Sequence, residues 1–133
     1  MPRMQLLKGL LWGFLLCRVV GCANYPVDPT RLSPEALADV PDHQLCLAYS
    51  RNRLPRLRAE LKRRGTFTEL EWRAITGRQV IIGMSEMALL TALPGIDRTR
   101  TIRSNDVVAN EWHFARLTDI TIRTENGKVV WFR

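Results

Sequence analysis

The apolar residues follow three patterns in succession. An uncharged run from Gly9 to Cys17 comes first, then helical spacing from about residue 33, then alternation in twos towards the end of the chain. In the helical stretch, Ser33 suits an N-cap, Pro34 suits the first helical position, and Leu32 can staple onto Leu37. Pro41 closes that brief helix, and Asp42 is placed to cap a second one in which Leu45, Ala48 and Tyr49 share a face. Pro55 and Gly65 bound a third helix with Leu54, Leu57 and Leu61 as its apolar stripe. Thr68 and Glu71 spell a capping box, with Phe67 and Trp72 as its hydrophobic staple, for a fourth short helix through Ile75.

The pattern changes after Gly77. Ser85 can cap a fifth helix, stapled by Met84 and Leu89, and the spacing turns Met87, Leu90 and then Thr91 or Leu93 inward. Pro94-Gly95 stops it. Period-two alternation then predicts strands over 98–104, 107–117 and 118–124, followed by 129–133. Asn126-Gly127 accepts the positive φ of a type I′ hairpin turn between the last two. Trp112 and Phe114 fall on one strand face as core residues, and His113 falls on the other. The predicted class is α+β, with N-terminal short helices followed by a helix packed on a three- to four-stranded antiparallel meander.

The first apolar run has a different meaning. Arg3 and Lys8 precede it without an acidic residue, and nine uncharged residues are too few to span a bilayer, which needs about 20. Small residues, Val19-Val20-Gly21, then lead to Cys22. A basic start, a short apolar segment and small residues at a cut site make a secretory signal. A cysteine directly after Val-Val-Gly resembles the lipobox of bacterial lipoproteins, in which the thiol takes a diacylglycerol and becomes the first residue after cleavage. Arg18 is an unusual charge beside such a box, and a plain signal peptide or a membrane-bound start, with Cys22 incidental, is the competing reading. Ala23 replaces the aspartate that would resemble an inner-membrane retention signal, which favours the outer membrane.

The organisation predicted is therefore a lipoprotein signal at 1–21, a proline-rich tether at 22–32, a helical segment at 33–76 and a helix-plus-sheet module at 77–133. Removing residues 1–21 takes away Arg3, Lys8 and Arg18, so the net charge falls from +7 to about +4, with 17 basic against 13 acidic residues. The rest is one small domain. Of the three cysteines, Cys17 lies in the signal and Cys22 is the candidate anchor. Cys46 is then without a partner and, among apolar neighbours, reads as a buried small hydrophobe rather than a redox thiol.

Ile82-Gly83-Met84-Ser85 opening a helix, Trp112 and Phe114 in a strand, and Asn126, Gly127 and Val129 at the last hairpin share an order and spacing with a known family. This part of the chain, about residues 80–133, resembles the SmpA/OmlA (BamE-like) outer-membrane lipoproteins. The family's Leu-Gly-x-Pro reads here Leu93-Pro94-Gly95-Ile96. The resemblance implies a BamE-like two-layer module and a non-catalytic accessory role in outer-membrane protein assembly or envelope integrity. It also implies attachment at the periplasmic face of the outer membrane, with membrane lipid through Cys22 and an envelope protein as partners. The same helix-on-sheet shape is similar to that of β-lactamase inhibitor proteins, so an inhibitor or ligand-binding module is the alternative. That alternative needs an exposed aromatic sheet face.

No catalytic set, cofactor motif or metal-ligand spacing is present in the sequence. The two histidines, His43 and His113, are far apart, and Ser85 is explained as a cap. The strongest electrostatic feature is the third helix and its approach, with Arg53, Arg56, Arg58, Lys62, Arg63 and Arg64 against Glu60 alone. Such a face is either solvated or a contact for lipid headgroups or an acidic partner. A secreted address argues against nucleic acid.

Overall fold

A computed structural model describes residues 28–114 and 119–133. The signal segment, Cys22, the tether up to residue 27 and the end of the second predicted strand lie outside the described residues. Ten elements follow in order: a single 3-10 turn (Pro29–Arg31), α1 (Pro34–Leu37), α2 (Asp42–Asn52), α3 (Pro55–Arg64), α4 (Glu69–Gly77), α5 (Glu86–Ala92), β1 (Asp97–Ser104), β2 (Val107–Phe114), β3 (Ile120–Glu125) and β4 (Lys128–Phe132). The fold is α+β, with five helices against one four-stranded antiparallel sheet in the order β1-β2-β3-β4.

The helix signals act locally, and most operate as the sequence predicts. Ser33 and Ser85 accept from Ala36 N and Ala88 N at 3.3 and 3.1 Å. Thr68 and Glu71 complete the capping box, and Phe67 meets Trp72 edge-to-face at 5.3 Å. Leu57 and Leu61 are fully buried, with Leu54 packed beside them.

Three details differ. Asp42 is the first residue of α2 and does not cap it; the N-cap is Pro41, which has no acceptor side chain. Ordered packing starts before Ser33: Asp28 caps the 3-10 turn through Thr30 N, Pro29 is buried, and Leu32 packs on the core. Residues 28–32, expected in the tether, therefore belong to the packed fold. Thr91 and Leu93 are buried as expected, but the rest of the inward face of α5 is Ala88, Leu89 and Ala92, with Met87 and Leu90 only partly covered. The reason is that α5 touches α2, α4 and β4 together, so small side chains are needed where neighbours approach from several sides.

The helical segment and the sheet module share one core that runs from Leu37 through Trp72 and Leu89 to Trp112, Ile122 and Val129. Glu71 joins the two parts. One carboxylate oxygen accepts from Thr68 N at 3.1 Å, and the other accepts from Ser85 N at 2.8 Å, at the start of α5. Burial pushes this carboxyl up, but the Ser85 and Thr68 N–H groups and the nearby Lys128 charge outweigh it, so it titrates below its ordinary value.

Gly83-Met84-Ser85 has a structural task. Gly83 N donates to Val129 O at 2.7 Å, and Val129 N donates to Met84 O at 2.9 Å. Glu86 N then reaches Gly127 O at 3.0 Å. The segment lies along β4 and covers part of its outer edge. Gly83 is required for its φ of 87°, since a Cβ there would meet nothing within 4 Å. The Asn126-Gly127 turn has φ values of 47° and 79°, the positive pair a type I′ turn needs.

A polar layer pins α5 to the sheet. Trp112 Nε1 donates to Thr124 Oγ1 at 3.1 Å, and Thr124 Oγ1 donates in turn to Glu86 Oε1. Asn110 Nδ2 donates to the same carboxylate at 2.8 Å. Trp112 and Phe114 are buried as expected, and His113 is half-exposed, 3.7 Å from Asp119. No described helix is long and apolar enough to cross a membrane.

Candidate anionic-surface site

The basic residues of the third helix separate into two groups once the chain is folded. Arg64 turns inward. Its guanidinium donates to Val40 O at 2.7 Å, Leu37 O at 2.8 Å and Ala38 O at 3.2 Å, around the C-terminal end of α1. It also pairs with Asp42 and Glu60 at 2.7 and 2.8 Å. Arg53 does the same elsewhere. Its Nη1 donates to Ile75 O at 2.9 Å, and its Nη2 reaches Thr91 O and Ala92 O at 3.5 and 3.4 Å. Both side chains neutralise helix-end carbonyls, which carry partial negative charge. Arg53 and Arg64 therefore leave the predicted contact surface, because a guanidinium engaged on backbone oxygens has few donors left for a ligand.

Glu60 is the internal countercharge. It is buried on α3, and Arg63 holds it from one side and Arg64 from the other. The Arg63 hydrogen bonds and then those of Arg64 pull its carboxyl down to about 2. Arg63 thus stays outside with part of its charge spent on Glu60.

Arg56, Arg58 and Lys62 remain outward, and none makes an ion pair among the described residues. The exposed residues of α3 are Pro55, Arg56, Arg58, Ala59, Lys62 and Arg63. By helical geometry, Pro55 and Ala59 form a small centre line with cations on both flanks. Arg58 and Lys62 sit over the Trp72 ring, with charge centres 5.7 and 5.6 Å from its centroid. Tyr49 and Phe67 brace that ring edge-to-face at 6.1 and 5.3 Å. Two shallow grooves flank the pair: one reaches Tyr49 and Arg53, and the other reaches Trp72, Arg73 and Glu69.

Sequence reasoning missed the place of Trp72 and Arg73 in this surface. Trp72 reads as a staple residue, which it is, and nothing in its spacing says that cations from the preceding helix rest on it. The arrangement can hold phosphate or carboxylate groups through charge and through cation–π placement. Cys46 lies outside it. Burial pushes that thiol up to about 11, which leaves it protonated and inert. No group of three or more potential metal ligands occurs among the described residues.

The second exposed surface is the sheet face away from the helices. A shallow groove there is lined by Glu111, Arg123, Glu125, Val130 and a half-exposed Trp131. Arg123 and Glu125 pair at 3.1 Å, so the groove largely balances its own charge.

No protein-family model, curated protein or solved structure matches this chain.

Proposed function

We propose that this chain is a lipid-anchored envelope protein at the periplasmic face of the outer membrane, acting as a non-catalytic interaction module. On the SmpA/OmlA resemblance, its role is accessory to outer-membrane protein assembly or envelope integrity. The observation that carries the reading is the order Arg3, Lys8, short apolar run and Val19-Val20-Gly21-Cys22, followed within a few residues by a capped, packed fold. The pairing of Gly83-Met84-Ser85 with β4 adds support, because it gives the resembled motif a structural reason to have that composition and place.

Intact mass spectrometry of the protein from its native host tests the reading. The expected species starts at residue 22 and carries a diacylglycerol mass. Cys22→Ser should abolish membrane association, whereas Cys46→Ser should not. An unmodified Cys22, or a chain still carrying Met1, overturns it.

A second reading is a ligand-binding or inhibitor module working through the open sheet face, favoured by the half-exposed Trp131 in its groove. Trp112 and Phe114 are buried, so that face offers fewer aromatic contacts than the inhibitor likeness implies.

A further inference from the structure

We propose that the exposed face of α3, centred on Ala59 with Arg56, Arg58 and Lys62 around it, docks on the anionic headgroup layer of the membrane that carries the anchor. This inference rests on the anchor reading above. It makes the domain lie against the lipid instead of standing off it.

Four observations point this way. The face is continuous and of one sign, since its exposed residues are four cations and two small residues, Pro55 and Ala59. Its charge is uncommitted at Arg56, Arg58 and Lys62, in contrast to the inward Arg53 and Arg64. Two of its cations are held in place over Trp72, which lowers the entropy lost when they meet phosphate.

The fourth observation is where the chain enters the fold. The 3-10 turn packs on α2, and α1 packs on α3. Asp28 titrates below its ordinary value, first through the Thr30 hydrogen bonds and further through the Arg31 and Arg56 charges. The chain therefore enters the fold beside α2 and, through α1, alongside α3. Five residues lie between Cys22 and Asp28, which makes six Cα-to-Cα steps. Fully extended, they span only about 20 Å. The anchor thus keeps this side of the domain within a few Debye lengths of the surface, each about 8 Å at physiological ionic strength. The sheet groove competes poorly for the same lipid, because its Arg123 is paired with Glu125.

The test uses the full lipidated chain with its Cys22 mass verified. Ala59→Cys carries a nitroxide; the remaining thiol, Cys46, is buried. The chain is reconstituted in phosphatidylcholine vesicles with and without one third cardiolipin, and a water-soluble nickel complex probes the label by collision. The expected result is a severalfold loss of accessibility in the anionic vesicles, reversed by high salt. The Arg56→Gln/Arg58→Gln/Lys62→Gln variant should restore accessibility, and the Arg56→Lys/Arg58→Lys variant should not, because charge is what acts. Melting of each variant checks the fold. Should the triple variant unfold, Arg56→Glu replaces it, since Arg56 rests on no ring.

Equal accessibility in the two vesicle types, with the Cys22 modification present, overturns docking and leaves the anchor standing. Protection that appears only when soluble envelope proteins are added assigns the face to a protein partner and also overturns it. An unmodified Cys22 sinks the anchor reading instead. The chain added from solution then tests α3 alone. Three charges at roughly fivefold each predict about a hundredfold weaker partitioning of the triple variant. Equal partitioning rejects the face.

Discussion

Replacing Arg64 with glutamine separates a structural arginine from the surface ones beside it. The Arg64 side chain is only 16% exposed, and its guanidinium makes contacts of two main kinds. The first is the pair with Glu60, itself 9% exposed. Removing one partner of a fully buried pair costs about 3–5 kcal/mol, but Arg63 remains on Glu60, so about 1–2 kcal/mol is the share expected here. The second is the set of carbonyls at Leu37, Ala38 and Val40, which lose a charged donor. They lie near the surface where water can replace part of it, for about another 1–2 kcal/mol. The Asp42 pair adds little, since that carboxylate is 52% exposed. The total is about 3 kcal/mol. For a domain near 100 residues, this lowers the melting temperature by roughly 12 °C. Arg64→Lys keeps the charge but loses the fork, and should fall about halfway. Arg58→Gln should cost under about 1 kcal/mol, the worth of an exposed cation–π contact. The assay is thermal unfolding by circular dichroism, with Glu60→Gln completing a double-mutant cycle. An Arg64→Gln midpoint within about 2 °C of wild type, or equal to that of Arg58→Gln, refutes the assignment of Arg64 to the interior.

Further outcomes follow from the Thr68–Glu71–Ser85 contacts and from the Glu60 carboxylate. Thr68→Ala should cost about 1 kcal/mol in urea unfolding, as a lost N-cap does. Glu71→Gln should cost more, about 2 kcal/mol, because one carboxylate serves both Thr68 N and Ser85 N; equal midpoints for the two variants would count against Glu71 as the link between helices and sheet. On acidification, Glu60 titrates at about 2 in the folded protein against an ordinary 4.5, so its stabilisation is full above about pH 5 and is lost as the pH falls towards 2. Asp28 and Glu71 are shifted the same way and add to the same loss. Glu60→Gln should therefore make stability less steep between pH 5 and pH 2, and an unchanged slope would remove Glu60 from the account.

The sequence alone determined the features that depend on neighbours three or four residues away, or on a single turn. Ser33, Ser85 and the Thr68–Glu71 box are short-range hydrogen bonds, and Asn126-Gly127 is set by backbone sterics, so all are legible without a fold. Alternation placed Trp112 and Phe114 inward and His113 outward for the same reason. Tertiary structure decided whatever depended on partners distant in the chain. Arg53, Arg56, Arg58 and Arg64 are one residue type in one short stretch. Their fates diverge because α1 ends beside Arg64, α4 and α5 end beside Arg53, and Arg56 stays exposed among the described residues. Glu71 reads as half of a capping box, and its second oxygen finds Ser85 only when α5 is brought alongside α4. The inward face of α5 was read only in part: Thr91 and Leu93 are buried as expected, but Ala88, Leu89 and Ala92 are buried where Met87 and Leu90 were expected, because periodicity assumes one buried side and this helix is covered on several. Long-range packing chooses which donors and faces remain free, and a surface site is made of those that remain.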